Sequence, residues 1–280
     1  MQLGDDKGFC GNKWRKMKYN LFAARERGYT QLLTFGGAFS NHIVATASAG
    51  RLFGFKTMGV IRGERPKGGN PSLRYAEACG MHLHFVSRSE YRNKTLPAFV
   101  EKLHQQFGDF YIIPEGGSNR LALKGCQELG AELLEQFDDQ PLYVALACGT
   151  GGTLAGLTQG LSHKIKVLGF SALKGDFLTG EVEQLQALIP GNTSAPWQIN
   201  HDYHFGGFAK FKPPLIEFIN SFKKQFDIAL DPIYTGKLFY GLLDLIGRDY
   251  FPPGSNIIAI HTGGLQGILG FNERFGDLID

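Results

Sequence analysis

Lys13 lies in Gly11-Asn12-Lys13-Trp14-Arg15-Lys16, where a Gly-Asn turn sets an amine at the mouth of a helix. The positive end of a helix dipole disfavours an ammonium, so the neutral, nucleophilic amine is easier to reach there. The competing reading is a cation on a solvated helix start. Two distant stretches bear on that choice. In Ala147-Cys148-Gly149-Thr150-Gly151-Gly152-Thr153, behind the apolar run from Leu142 to Leu146, a strand passes through a glycine turn into a helix. Backbone N–H groups and a helix dipole converge on a phosphate in that arrangement, and Thr150 and Thr153 add hydroxyl donors. The turn lacks the Gly-Lys-Ser/Thr of a Walker loop and fits the dinucleotide pattern poorly, so tight strand–helix packing competes with phosphate binding. In Thr34-Phe35-Gly36-Gly37-Ala38-Phe39-Ser40-Asn41-His42, the Ser40 and Asn41 side chains and the first helical N–H groups form a cup for a carboxylate. Ser and Asn are also preferred N-caps, and one geometry serves both purposes.

These turns require strands before them and helices after them. Residues 14–27 read as a helix with Met17, Leu21 and Ala24 on one face, ended by Gly28. Strands are expected at 32–34, 57–61 and 82–86, with helices at 42–53, 71–78 and 95–107. Further on, helices are expected at 121–136, 176–188 and 215–225 and strands at 142–146, 167–171 and 257–260. Residues 191–213 read as a long irregular stretch rich in aromatics and glycine, a length that points to function. Alternation at this spacing predicts an α/β fold with parallel, doubly wound sheets. The glycine-rich turns at 36–41, 149–153 and 261–264 all fall at the carboxyl ends of strands, where such sheets bind ligands, and the site would lie between two domains.

The 280 residues suffice for one large or two modest domains. A hydrophobic share of 43% with 20% charged residues is ordinary for a globular chain. A net charge of +3 without a basic run argues against nucleic acid. Cys10, Cys79, Cys126 and Cys148 lack CxxC spacing, which speaks against zinc and against a disulfide framework and predicts a cytoplasmic protein without a metal site. No apolar run approaches the roughly 20 residues of a membrane span, and no signal-peptide pattern opens the chain.

Gly11-Asn12-Lys13-Trp14-Arg15-Lys16, Gly36-Gly37-Ala38-Phe39-Ser40-Asn41-His42, Gly149-Thr150-Gly151-Gly152-Thr153, Asp231-Pro232-Ile233-Tyr234-Thr235-Gly236-Lys237 and His261-Thr262-Gly263-Gly264 occur in that order. Together they resemble the pyridoxal-phosphate family of 1-aminocyclopropane-1-carboxylate deaminase and D-cysteine desulfhydrase. The resemblance implies fold type II, tryptophan synthase β-like, with pyridoxal 5'-phosphate as cofactor and Lys13 as its Schiff-base lysine. It also implies a large domain of residues 1–19 and 126–280, a small domain of residues 20–125, and a homodimer. A further N-terminal segment is expected ahead of Asp5-Asp6, where this chain has Met1 to Gly4.

By the same resemblance, Asn41 would bond the phenolic oxygen of the cofactor, and Ser40 and His42 would grip the substrate carboxylate. The turn Gly149, Thr150, Gly151, Gly152 and Thr153 would hold the phosphate. The deaminase subgroup has a glutamate after the tyrosine matching Tyr234, where this chain has Thr235, with Thr262 a second hydroxyl candidate for the pyridine nitrogen. A hydroxyl leaves that nitrogen mostly neutral and gives a weaker electron sink than a carboxylate. Tyr234 would lie over the cofactor as a proton donor or acceptor, unless it is a core tyrosine. Phe208 stands where the family has a tyrosine and cannot transfer a proton, with Lys210, Tyr203 and His204 as possible replacements. The implied reaction is loss of an α-proton and β-elimination from a small amino acid, with D-cysteine giving pyruvate, hydrogen sulfide and ammonia. Cyclopropane-carboxylate deamination, amino-acid racemisation and a catalytically impaired cofactor-binding homologue are the alternatives.

Overall fold

The computed structural model describes residues 11–67, 70–137, 142–189 and 194–280, and Asp5, Asp6 and Cys10 lie outside them. The chain divides into two compact units, Met1–Gly117 and Ser118–Asp280. Each is built on its own four-stranded parallel sheet.

In the first unit, α1 (Asn12–Glu26) buries Met17, Leu21 and Ala24, a stripe at helical spacing. They pack with Leu32 of β1 (Gln31–Gly37) and with Ala45 and Ala49 of α2 (Asn41–Phe53). The unit continues through β2 (Lys56–Arg62), α3 (Pro71–Ala78), β3 (His82–Val86), α4 (Arg88–Tyr91), α5 (Pro97–Phe107) and β4 (Tyr111–Ile113). The strand order is β3-β2-β1-β4. Residues 32–36 of the interior strand β1 are all buried, as a parallel strand covered on both faces requires. A single 3-10 turn at Glu115–Gly117 follows β4. Sequence periodicity did not reveal α4, which is one turn long and rests on a reciprocal Ser87–Glu90 capping box.

The second unit holds α6 (Arg120–Gln136), β5 (Leu142–Cys148), α7 (Gly152–Gly160), β6 (Lys166–Ser171), α8 (Leu178–Gln186) and β7 (Trp197–Asn200). It ends with α9 (Pro213–Phe226), α10 (Thr235–Gly247), β8 (Asn256–Ile260) and α11 (Gln266–Phe275). The sheet order is β7-β6-β5-β8. Helices α6 and α7 meet backbone to backbone: a Cβ on Gly160 would lie 2.1 Å from the Gln127 carbonyl oxygen. That approach fixes the axis of the helix whose start faces the glycine-rich turn at 149–153.

Two expectations change here. The stretch 191–213 is not wholly irregular, because β7 pairs in parallel with β6 and packs Trp197 and Ile199 against the core. It has four residues and forms an edge, too short for alternation to stand out. Helix α10 was not expected either. Gly236, Gly241 and Gly247 weaken its helical propensity, and burial of Leu238 and Leu242 overrides that penalty. Among the described residues, no helix is long and apolar enough to cross a membrane.

Candidate active site

The residues singled out by chemistry fall into two sets, one in each unit. In the first, Gly11 (φ 62°) turns the chain into α1, and Lys13 is the second residue of that helix. The Lys13 ammonium donates to Asn12 Oδ1 at 3.1 Å. One turn on, Lys16 is buried and donates to the Gly116 carbonyl at 3.0 Å.

His42 is the electrostatic centre of this set. It is 2% exposed, and its Nε2 lies 2.8 Å from Thr34 Oγ1, which in turn donates to the Ile113 carbonyl at 2.8 Å. Thr34 has one proton and a carbonyl only accepts, so both bonds form when His42 Nε2–H donates to Thr34. Nδ1 is then the lone-pair nitrogen, and it has no hydrogen-bond partner. A Cβ on Gly117 (φ 69°) would come within 3.2 Å of the ring. Burial above all, then Lys13 and Lys16, pushes the His42 pKa down to about 3, so the ring is neutral.

Ser40 is the N-cap of α2, its Oγ accepting from His42 N at 3.2 Å and from Ile43 N at 3.4 Å. Asn41 opens the helix. A Cβ on Gly36 would lie 2.8 Å from Ser40 Oγ and 2.6 Å from Ile43 Cγ1, so glycine there lets the cap close onto the strand end.

In the second unit, β5 ends at Cys148, and Gly151 (φ 73°) is the left-handed N-cap of α7, with no side chain capping the helix. A Cβ on Gly151 would meet Val182 Cγ2 at 2.5 Å, and one on Gly149 would meet the Tyr234 ring at 3.0 Å. Thr150 Oγ1 is hydrogen-bonded to Ser118 Oγ at 2.8 Å, and Thr153 is buried in the first turn of α7. Tyr234 is the N-cap residue of α10, and Phe208 meets it edge-on at 6.2 Å between ring centres. Phe208 is 41% exposed. Strand β8 neighbours β5 with Leu146 opposite Ile260, so two residues further along Thr262 emerges beside the start of the 149–153 turn. Gly149, Thr150, Tyr234, Phe208 and Thr262 thus gather at one sheet edge.

Thr235 does not share that placement. It is 0% exposed, its hydroxyl donates to Asp231 Oδ2 at 2.7 Å, and it accepts the Asp231 N–H at 2.8 Å. The Asp231 carboxylate also accepts the N–H groups of Ile233, Tyr234 and Thr235. Thr235 therefore closes the turn that delivers Tyr234, and its proton and its acceptor are both in use there. Of the two hydroxyls weighed for a ring nitrogen, Thr262 is the one at the sheet edge.

Sequence reasoning passed over Lys16, Thr34, Ser118, Asp231 as a capping carboxylate, and Lys237. Only Lys16, one helical turn from Lys13, carried a local signal. The arrangement suits an anionic, aromatic ligand. Gly149 lets the turn lie against the Tyr234 ring, Gly151 lets it pack onto Val182, and a helix start whose N-cap has no side chain follows.

A family model described as pyridoxal-phosphate dependent enzyme matches residues 7–263. The chain is 32% identical over 298 residues to the mitochondrial bifunctional D-cysteine desulfhydrase/1-aminocyclopropane-1-carboxylate deaminase of Arabidopsis thaliana, covering 96% of this chain and 72% of that one. A crystal structure of an ACC deaminase homologue matches with a TM-score of 0.82 at 28% identity, covering 96% of this chain and 84% of that one. A hydrogen sulfide-producing enzyme of Fusobacterium nucleatum shares the fold, with a TM-score of 0.63 at 16% identity over 93% of this chain and 87% of that one.

Proposed function

The chain belongs to the pyridoxal-phosphate-dependent enzymes, with their type II fold, and on that premise we propose that it is a lyase. In this reading it removes the α-proton of D-cysteine and expels the β-thiol as hydrogen sulfide, and water hydrolyses the resulting 2-aminoacrylate to pyruvate and ammonia. The observation that carries the choice is Thr235. The deaminase pattern places a carboxylate there, whereas here a buried hydroxyl is spent on Asp231, which leaves Thr262, of the two hydroxyls weighed, at the sheet edge. The weaker sink that a hydroxyl partner gives favours elimination of a good leaving group over opening a carbon ring.

When bound, pyridoxal phosphate supplies an electron-poor ring that accepts the electron pair left on the α-carbon. Lys13 would hold it through its Nζ, and the same amine would be the acceptor of the α-proton. The N–H groups of residues 151–153 and the Thr150 hydroxyl would hold the phosphate. Asn41 would bond the phenolic oxygen, while Ser40 and the N–H groups that open α2 would hold the substrate carboxylate. His42, buried and kept neutral, would add no charge that holds the product. Tyr234 is the second proton-handling group, and Phe208 gives the pocket an apolar wall. A homodimer belongs to this reading, supported by large apolar side chains that stand exposed, among them Phe22 at 53% and Leu269 at 64%.

Ring opening of 1-aminocyclopropane-1-carboxylate is the second reading, favoured by the Arabidopsis relative, which is named for both activities. The test supplies the purified protein with pyridoxal phosphate and compares it with Lys13→Ala. The parent is expected to show a visible band of lysine-bound cofactor that the variant lacks. Turnover should fall in the variant by about 10³-fold or more, the scale of losing a positioned proton acceptor. D-cysteine should yield pyruvate and sulfide. Formation of 2-oxobutanoate from the cyclopropane acid with no sulfide from D-cysteine would transfer the assignment to the deaminase, and an unchanged band in the variant would remove Lys13 from its role.

A further inference from the structure

Lys237 belongs to the segment that delivers Tyr234, but no step above uses it. It lies in the first turn of α10, is 1% exposed, and ends among backbone carbonyls. Its ammonium donates to the carbonyls of His204 and Gly207, each at 2.8 Å, and to that of Ala172 at 3.4 Å. Three protons meet three acceptors, and two of those acceptors lie in the loop that carries Phe208.

The same two carbonyls already close tight turns. Gly207 N donates to His204 O at 3.0 Å, and Lys210 N donates to Gly207 O at 3.1 Å. Lys237 therefore bonds the closing carbonyl of each of two successive turns, 204–207 and 207–210. Those turns place Phe205 (φ 52°) and Ala209 (φ 54°) in the left-handed region that side chains disfavour, beside Gly206 (φ 101°) and Gly207 (φ 111°). Strain of this kind persists only where surrounding contacts over-determine it. The loop is also tied at its start, where the Tyr203 hydroxyl donates to Asp244 of α10 at 2.5 Å. Asp231, the carboxylate acting on Lys237, is itself saturated by three N–H groups and the Thr235 hydroxyl. Burial lowers the Lys237 pKa to about 8, with Asp231 opposing, so at neutral pH a charged ammonium is retained among carbonyl dipoles.

We infer that Lys237 is a positioning residue: its ammonium acts as a built-in cation that locks the strained 203–210 loop and so holds Phe208 edge-on to Tyr234, setting the shape of the substrate pocket. The assignment to a substrate pocket rests on the proposed function, whereas the locking of the loop does not. Tyr234 and Lys237 are one helical turn apart, so the loop is fastened to the same turn of helix that carries the ring it must meet.

The experiment uses Lys237→Met, which keeps length without charge, and Lys237→Ala with propylammonium or 1-propanol added back. One readout is independent of chemistry: tryptic cleavage of the Lys210–Phe211 bond, since Lys212 precedes Pro213. Losing charged hydrogen bonds should speed that cleavage at least about tenfold in both folded variants, and propylammonium should slow it again in Lys237→Ala where 1-propanol does not. With D-cysteine, KM should rise about tenfold or more by the same loss while the visible cofactor band is unchanged. If Lys237→Met does not fold, Lys237→Gln, which keeps two N–H donors without the charge, takes its place with the same expected direction. Unchanged cleavage in a folded variant, or equal rescue by 1-propanol, overturns the inference. Faster cleavage together with a parent enzyme inert toward D-cysteine leaves the lock standing and removes the proposed substrate.

Discussion

The turn from β1 into α2 and the turn from β5 into α7 share one plan of strand, glycines and helix, yet they end in different ways. At the first, Ser40 accepts two of the leading N–H groups of α2, and a buried neutral imidazole lies two residues on. At the second, Gly151 caps α7 through a left-handed backbone and has no side chain to take the leading N–H groups. A capped helix start offers an anion side-chain hydroxyls and a reduced dipole, whereas an uncapped one offers its backbone donors directly. A doubly charged phosphate gains most from the second arrangement, and a carboxylate that must be released after turnover is better served by the first.

Acid separates the two turns most strongly. With its pKa lowered to about 3, His42 stays neutral in the folded protein, while in the unfolded chain it takes up a proton near 6.5. The unfolded state thus binds more protons across that window. Stability present above about pH 6.5 is lost as pH falls toward 3, at about 1.4 kcal/mol per pH unit for this one group. Lys13 and Lys16 deepen the effect and the Pro114 carbonyl opposes it. Carboxylates titrate over the same range, so the quantity to measure is the difference in urea-unfolding free energy between the parent and His42→Gln at pH 4 and pH 6.5. Gln keeps a donor for Thr34 and has no proton to gain, so its slope should be shallower. Parallel slopes would show that the first turn does not depend on a neutral ring.

Next in size is the contrast between the glycines. An alanine at 151 must hold φ near 73° with its Cβ 2.5 Å from Val182 Cγ2. Left-handed strain and overpacking together cost about 2–4 kcal/mol. At Gly37 a Cβ would meet nothing nearer than Arg62 Nη2 at 3.7 Å, the far end of a flexible side chain. Gly37→Ala should therefore stay within about 0.5 kcal/mol of the parent. Denaturation midpoints measure both, and cofactor affinity should fall in Gly151→Ala alone. Equal losses would mean that the two turns do not divide their labour between side chain and backbone.

What could be read from the chain follows the range of the interactions involved. Strand–helix alternation and the stripe of Met17, Leu21 and Ala24 were legible because a period of 3.6 residues or a short apolar run is a local pattern. The cap Ser40 was legible for the same reason. Thr34 bonds the carbonyl of a residue 79 positions away, and Lys237 reaches carbonyls 30, 33 and 65 positions away. No window along the chain contains such pairs. Thr235 was legible as a hydroxyl next to Tyr234, but not its burial. Its partner Asp231 is four residues away, and only the closed turn shows that the pair is self-contained.

The smallest effect tests the claim that capping and carboxylate binding share Ser40. Removing the hydroxyl in Ser40→Ala should cost about 1 kcal/mol, whereas Ser40→Gly should cost only a few tenths, as at other helix starts. Those two variants measure the cap but leave the second role open. Ser40→Asp separates the roles, because aspartate caps as well as serine and its charge favours the helix dipole. Its melting temperature should match that of the parent. An anionic substrate would then meet a fixed negative charge where a hydroxyl stood, and KM for the amino acid should rise while the visible cofactor band is kept. If Ser40→Asp keeps both its melting temperature and its KM, Ser40 serves the helix alone, and the carboxylate is held by other donors at the start of α2.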